Sequence, residues 1–241
     1  MNKKLSEFRK PNHYDLDTTK LQLNEEFNDR GYHIINNFLN EDLSNFFYGH
    51  LMLAKKRLLE VQDNGWTNEH MMYGYMGDPQ CPDTFHIYGD LSFDSILVGM
   101  KSEIEYWSGY DLTPTYSYAR LYEKGASLEK HIDRPECEIS ITLCLGYEGS
   151  SAWPMWIKDK KGEEVECHFE KGDAILYKGN EIEHWRKTLQ SGMQGQLFLH
   201  YNEKDGKFNR TYDGRFSLGL PKDANLENLM RMQFEKNKKE F

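Results

Sequence analysis

Three side chains in this sequence are of types and spacing that could share one metal ion. His131 and Asp133 are separated by a single residue. On an extended strand such positions face the same side, so an imidazole and a carboxylate project into one space. A third ligand could come from His184, further along the chain. Two imidazoles and one carboxylate on one face of a metal leave the opposite positions open, a set that suits Fe(II) and the activation of O2. Taken alone the His-x-Asp pair is weak, because nine histidines and 39 acidic residues produce such pairs by chance. The segments around it raise its weight, and together they suggest an enzyme.

Upstream, Tyr116-Ser117-Tyr118-Ala119-Arg120-Leu121-Tyr122 is rich in aromatic residues, as strands are, and stops at the turn signal Glu123-Lys124-Gly125. Downstream, Glu138-Ile139-Ser140-Ile141-Thr142-Leu143-Cys144-Leu145 alternates and breaks at Gly146. From residue 115 onward the chain reads as short strands over 115–122, 138–145, 153–158, 164–169, 174–177, 182–188 and 195–201. Gly125, Gly149, Gly162, Gly172, Gly179 and Gly192 fall in the turns between them. Many short strands with regular turns imply a β-sandwich or barrel. A closed sheet brings early and late strands side by side, which makes a meeting of His184 with His131 and Asp133 geometrically reasonable.

The elements before the barrel are mostly helical. Residues 1–20 are polar and are expected to form an N-terminal arm. Leu21 to Phe27 reads as a short helix ended by Gly31, and Tyr32-His33-Ile34-Ile35 is strand-like. Asn40 is a good N-cap, and Leu43, Phe46, Phe47, Leu51, Ala54 and Leu58 recur at helical spacing, so a long helix is expected against a sheet. Residues 63–90 read as irregular, and a loop that long suggests either a lid over a substrate or a surface loop packed on itself. Phe93 to Trp107 has helical periodicity and ends at Ser108-Gly109. The tail over 221–241 reads as an amphipathic helix, with Leu226, Leu229, Met230 and Phe234 on one side. It is expected to dock on the barrel or on a second subunit, as in a homodimer. The stretch 21–220 is expected to form one mainly β domain with flanking helices, without repeats or linkers.

A net charge of -9 argues against nucleic acid as the partner. Cys81, Cys137, Cys144 and Cys167 lack Cys-x-x-Cys spacing and read as reduced core residues, the usage of a cytoplasmic protein. No apolar run approaches membrane-spanning length, so no membrane association is expected.

The ordered landmarks resemble a known family. Tyr122-Glu123-Lys124-Gly125, His131-Ile132-Asp133, Lys171-Gly172-Asp173-Ala174-Ile175-Leu176-Tyr177, His184 and Gln196-Leu197-Phe198-Leu199-His200-Tyr201 look like those of the Fe(II)/2-oxoglutarate-dependent oxygenases, within the prolyl-4-hydroxylase-like branch. The resemblance covers about residues 21–205. It implies a double-stranded β-helix (jelly-roll) core with N-terminal helices packed on its major sheet, Fe(II) at the open end, 2-oxoglutarate as cosubstrate and O2 as oxidant. It also implies His131, Asp133 and His184 as iron ligands, and Tyr122 as a residue that hydrogen-bonds the cosubstrate. Halogenating relatives carry a small residue at the position of Asp133, so a carboxylate there favours hydroxylation.

One position departs from the family pattern. Relatives hold the distal carboxylate of 2-oxoglutarate with Arg or Lys where this chain has Gln194. A buried carboxylate needs a cation or several donors. Strand parity nominates Arg186, two residues after His184, and Arg120, two before Tyr122. Ordinary ion pairs are the alternative for both. Arg134 should face the other way and pair with Glu136 or Glu138, or touch substrate at the rim. His168 and His200 read as core or surface histidines, and Trp153, Trp156 and Trp185 as packing.

The leading expectation is therefore an oxygenase acting on a peptidyl proline, an amino acid or another small metabolite. Gln194 keeps open a cupin-like metalloenzyme that does not use 2-oxoglutarate. A non-catalytic β-sandwich that binds a ligand is the third alternative.

Overall fold

A computed structural model describes residues 25–65 and 74–222. The N-terminal arm and nearly all of the C-terminal helix expected from the sequence lie outside these residues, as does the stretch 66–73. Among the described residues the order is α1 (Glu25–Arg30), β1 (Tyr32–Ile35), α2 (Glu41–Asp63), β2 (Tyr75–Met76), β3 (Phe85–Tyr88), α3 (Leu91–Gly99) and α4 (Lys101–Ser108). The strands β4 (Leu112–Glu123), β5 (Leu128–His131), β6 (Ile139–Glu148), β7 (Met155–Lys158), β8 (Glu164–Cys167), β9 (Ala174–Tyr177), β10 (His184–Arg186) and β11 (Met193–Glu203) follow. All pairings are antiparallel. The major sheet has the order β1-β9-β6-β11-β4-β3-β2 and the minor sheet β5-β10-β7-β8. This is the double-stranded β-helix expected from the landmarks, with helices on the outer face of the major sheet.

Alternation along β4 and β11 gives the major sheet two different faces. Ala119, Leu121, Leu197, Leu199 and Tyr201 join the apolar core beneath the helices. Tyr116, Tyr118, Arg120, Tyr122, Phe198 and His200 point the other way and line a cavity between the sheets. On α2, Asn40 Oδ1 accepts from the Leu43 N–H at 2.8 Å, and Phe47, Leu51, Ala54 and Leu58 bury one stripe against the sheet. That arrangement matches the sequence reading.

Two expectations are corrected. The helix read over Phe93 to Trp107 is two helices, because Met100 (φ -92°, ψ -2°) both ends α3 and begins α4. The bend lets Leu97 and Ile104 reach the same core. Gly109 closes α4 in the left-handed region (φ 77°), as its position suggested. The segment 63–90 is also less irregular than it reads, since β3 pairs with β4 from Phe85↔Leu121 to Tyr88↔Tyr118. All four residues of β3 are buried, so no polar alternation marks the strand in the sequence. What remains of the loop reaches the cavity, where Asp78, Pro79 and Gln80 form part of the lining.

After β11 the chain crosses back over the barrel and is held by a buried ion pair. Arg215 Nη1 donates to Asp94 Oδ2 at 3.0 Å, and both side chains are almost completely buried. Asp94 also accepts from Ser117 Oγ at 2.6 Å and from the Gly219 N–H at 2.8 Å. Removing one partner strands the other charge in the core, so Asp94→Ala is expected to cost about 3–5 kcal/mol in denaturant unfolding. Ser117→Ala, which leaves the pair intact, is expected to cost only about 1 kcal/mol.

Candidate active site

β10 lies between β5 and β7, and its register sets His184 directly opposite His131. Directly opposed residues have neighbouring Cβ atoms, so both imidazoles enter the same space. His131 Nδ1 lies 2.8 Å from the Glu129 carbonyl, and His184 Nδ1 lies 2.9 Å from the Ile182 carbonyl. A carbonyl only accepts, so each Nδ1 carries the proton and each Nε2 presents a lone pair. Asp133 is not on the strand; β5 ends at His131, and the chain turns there. The Asp133 N–H donates to the Gly179 carbonyl at 2.8 Å, and that turn, rather than strand parity, aims the carboxylate.

Both Nε2 atoms stand 3.6 Å from Asp133 Oδ1. One ligand atom from each of the three residues lies within 4.8 Å of the others. Adjacent ligands on bonds near 2.1 Å are about 3 Å apart, so a small contraction closes this set around an ion. Its donors, and the backbone carbonyls that hold both Nδ1 protons, fit a first-row divalent metal such as Fe(II). Burial alone would raise the Asp133 carboxyl, but when no metal takes the Nε2 lone pairs and the rings of His184 and His131 are protonated there, their charge and hydrogen bonds outweigh it and hold the group far below the usual carboxylate range. Gly179 is required beside it, since an added Cβ would sit 2.7 Å from Asp133 Oδ2 and 2.7 Å from Ser140 Oγ.

The two candidate cations differ in their partners. Arg120 Nη2 donates to Asp78 Oδ2 at 2.5 Å, and Arg120 Nη1 donates to Tyr122 Oη at 3.1 Å. Its charge is therefore already matched. Arg186, only 2% exposed, donates through Nη1 to the carbonyls of Trp153 (2.5 Å) and Pro154 (3.4 Å) and is ringed by Tyr122, Trp153 and Phe169. Its Nη2 is buried without a hydrogen-bond partner, and among the described residues no carboxylate pairs with it. Burial without a counter-ion pushes this guanidinium below its ordinary value. Gln194, at the place where relatives carry a cation, donates to Gln196 Oε1 at 2.8 Å and accepts from the Trp153 N–H at 2.6 Å. Both Arg186 and Tyr122 line the cavity of about 560 Å³ that contains His131, Asp133 and His184. Burial raises the Tyr122 phenol above its usual value and keeps it protonated.

His200 was not legible as a site residue, since in the sequence it reads as an ordinary core or surface histidine. His200 is buried, yet it lines the cavity and belongs with Asp133 and Cys137 in a second group of potential ligand atoms. Arg134 pairs with Glu136 at 3.2 Å as expected, but its main partner is Asp213, held through both carboxylate oxygens at 2.9 and 2.6 Å. Asp213 lies 79 positions away and in the left-handed region (φ 56°), so nothing local announced it. His168 is on the surface, with a side chain 71% exposed. Trp156 and Trp185 stack on each other at 6.0 Å, whereas Trp153 packs on Arg186.

No family model and no curated protein matches this sequence. Solved structures do match in fold. A Pseudomonas putida prolyl-4-hydroxylase aligns over 75% of this chain and 97% of its own, at 14% identity and a TM-score of 0.57. The non-haem α-ketoglutarate-dependent epimerase SnoN from nogalamycin biosynthesis aligns over 85% and 96%, at 10% identity and a TM-score of 0.60. HygX from Streptomyces hygroscopicus, with nickel, 2-oxoglutarate and hygromycin B bound, aligns over 76% and 87%, at 12% identity and a TM-score of 0.55. This chain thus has the double-stranded β-helix fold found in structures of Fe(II)/2-oxoglutarate-dependent oxygenases.

The buried histidines set a pH dependence. Burial pushes His86 and His200 down to about 4, so both stay neutral in the fold. The unfolded chain takes up those protons near pH 6.5, and stability is lost as pH falls from there toward about 4. The midpoint of thermal unfolding is expected to drop between pH 7 and pH 5, and a His86→Gln, His200→Gln double variant should flatten that slope.

Proposed function

We propose that the protein is a non-haem Fe(II)- and 2-oxoglutarate-dependent oxygenase that hydroxylates a C–H bond of a peptide or small-molecule substrate. The observation that carries this reading is a buried guanidinium without an anion among the described residues, in the same cavity as two imidazoles and a carboxylate that could share a metal. HygX, which shares the fold, binds nickel and 2-oxoglutarate, and that lends support to the same ligands here.

His131, Asp133 and His184 would hold the metal through two Nε2 atoms and one carboxylate oxygen. Arg186 Nη2, without a hydrogen-bond partner among the described residues, would take the distal carboxylate of 2-oxoglutarate. The Tyr122 hydroxyl accepts from Arg120, which leaves its own proton to be donated to the same carboxylate. Asp78 neutralises Arg120, so the loop over 77–84 is tied to the cosubstrate pocket through two hydrogen bonds in series. Bound at this centre, Fe(II) with 2-oxoglutarate and O2 supplies the oxidising chemistry, releasing succinate and CO2 as one oxygen atom enters the substrate. Asp133 would supply a carboxylate to the metal where the family resemblance implies a small residue in halogenating members, which favours hydroxylation.

Arg186 in this role also answers the problem raised by Gln194, and with it the case for a metalloenzyme that does without 2-oxoglutarate loses its motive. Cys81, Cys137, Cys144 and Cys167 are all buried free thiols, in keeping with a reducing, cytoplasmic setting. Among the described residues no helix is long and apolar enough to cross a membrane.

Anaerobic addition of Fe(II) and 2-oxoglutarate is expected to produce a weak visible charge-transfer band. Arg186→Met should weaken 2-oxoglutarate binding by at least about 30-fold, with Fe(II) affinity unchanged. The same variant should be more stable than the parent without 2-oxoglutarate, by about 1–4 kcal/mol, because an unpaired buried charge is gone. Iron binding without the band, or an unchanged 2-oxoglutarate affinity in Arg186→Met, would overturn the proposal.

A further inference from the structure

The cavity has a second half that the metal and cosubstrate residues do not use. It is lined by Tyr88, Tyr116, Phe198, His200 and Arg134. We propose that this half is the subsite for the reacting substrate, that it accepts an uncharged ring bearing an N–H or O–H donor, and that His200 Nε2 is the acceptor that orients it. The inference rests on the oxygenase reading above and specifies its substrate class.

The proton arrangement at His200 follows from its neighbours. Ser140 Oγ donates to the Cys137 carbonyl at 3.1 Å, so the 2.8 Å contact between Ser140 Oγ and His200 Nδ1 is one in which Nδ1–H donates. Nε2 then carries a lone pair, and among the described residues it has no hydrogen-bond partner. His200 lines the cavity, so an N–H or O–H donor of a bound molecule can reach this acceptor in place of water. His200 belongs to a set of ligand atoms, with Asp133 and Cys137, that lie within 4.8 Å of one another. A molecule held by His200 is thus next to the candidate metal site.

The shape of the wall selects a ring. Tyr88 stacks on Tyr116 at 4.9 Å, and Tyr116 packs against His200 at 4.5 Å. Phe198 is partly exposed and faces the cavity from the same strand as His200, its ring parallel to the imidazole within 1°. Flat aromatic faces favour a ring laid against them.

Charge balance disfavours an ion in the depth of the cavity. Fe(II) with the Asp133 carboxylate carries one positive charge, Arg186 adds another, and 2-oxoglutarate carries two negative, so the loaded centre is neutral. Arg120 is matched by Asp78, and Arg134 by Asp213. Lys222, also in the lining, is exposed and stays in solvent, so of the buried charges none is left over for an ionic group on the substrate, and burying one unmatched is strongly disfavoured.

The test uses the full chain loaded with Zn(II), which has no redox chemistry, and 2-oxoglutarate. Histidine 15N resonances are followed while three neutral rings are added: methyl glucopyranoside, N-acetylprolinamide and indole. Their charged counterparts are glucuronate, N-acetylproline and tryptamine. At least one neutral probe is expected to shift the His200 Nε2 resonance saturably, with its charged counterpart about tenfold weaker or worse. His200→Phe should weaken the neutral probe about tenfold, whereas His200→Gln, which keeps an acceptor, should retain it. A charged counterpart that binds as tightly, a His200→Phe variant that binds equally well, or three neutral probes that leave the resonance unmoved would each overturn the proposal. Failure of the parent protein to bind Zn(II) or 2-oxoglutarate would instead sink the oxygenase reading beneath it.

Discussion

The pairing of β5 with β10 is the constraint on which the candidate site depends. It sets His184 across from His131, and the turn that follows β5 swings Asp133 into the gap between them. The backbone does the positioning, the ladder for the two histidines and the turn's hydrogen bond to Gly179 for Asp133. The two Nδ1 protons are already bound to carbonyls of the same chain, so the lone pairs point inward before any cation arrives. Such preorganisation lowers the cost of assembling a metal site, since little side-chain freedom remains to be lost.

A second feature of the cavity supports the proposed binding of an anionic ligand. Arg186 is almost completely buried and, among the described residues, has no counter-ion, which works against the stability of the fold. The surrounding aromatic rings and the carbonyls of Trp153 and Pro154 soften that cost without removing it. Arg120 and Arg134 show what the same fold does when a guanidinium is merely structural, because each is closed by an aspartate. The contrast separates a guanidinium whose Nη2 has no partner among the described residues from cations that hold loops in place. Asp78 and Asp213 serve that second purpose, one anchoring the loop before β3 and the other the segment after β11.

The major sheet joins these roles by having two chemically different faces. Its outer face carries leucine, isoleucine and alanine against α2 and α3, which supplies the apolar burial that stabilises the domain. Its inner face carries tyrosine, arginine, histidine and phenylalanine, residues that leave room and hydrogen-bonding capacity for ligands. One strand, β4, contributes to both through simple alternation, so stability and binding are separated by the pleat rather than by distance along the chain.

That alternation is also why so much could be read from the sequence. The period-two patterns around Tyr116–Tyr122 and Ile139–Leu145, the glycine-marked turns and the Asn40 cap are local signals, and they determined the β-rich fold, the long helix and the three metal-site candidates. Parity likewise brought Arg186 forward, since two residues after His184 is the same face of the same strand. Tertiary structure decided what local patterns do not encode. Arg120 is neutralised by Asp78 from a loop far upstream, Arg134 is held by Asp213 from a segment far downstream, and β3 is buried on both faces and so shows no alternation. His200 looked like any strand histidine until the closing of the barrel set it beside Asp133. Pairing between distant segments depends on loop closure and on the register of the whole sheet, and no short stretch of sequence contains that information.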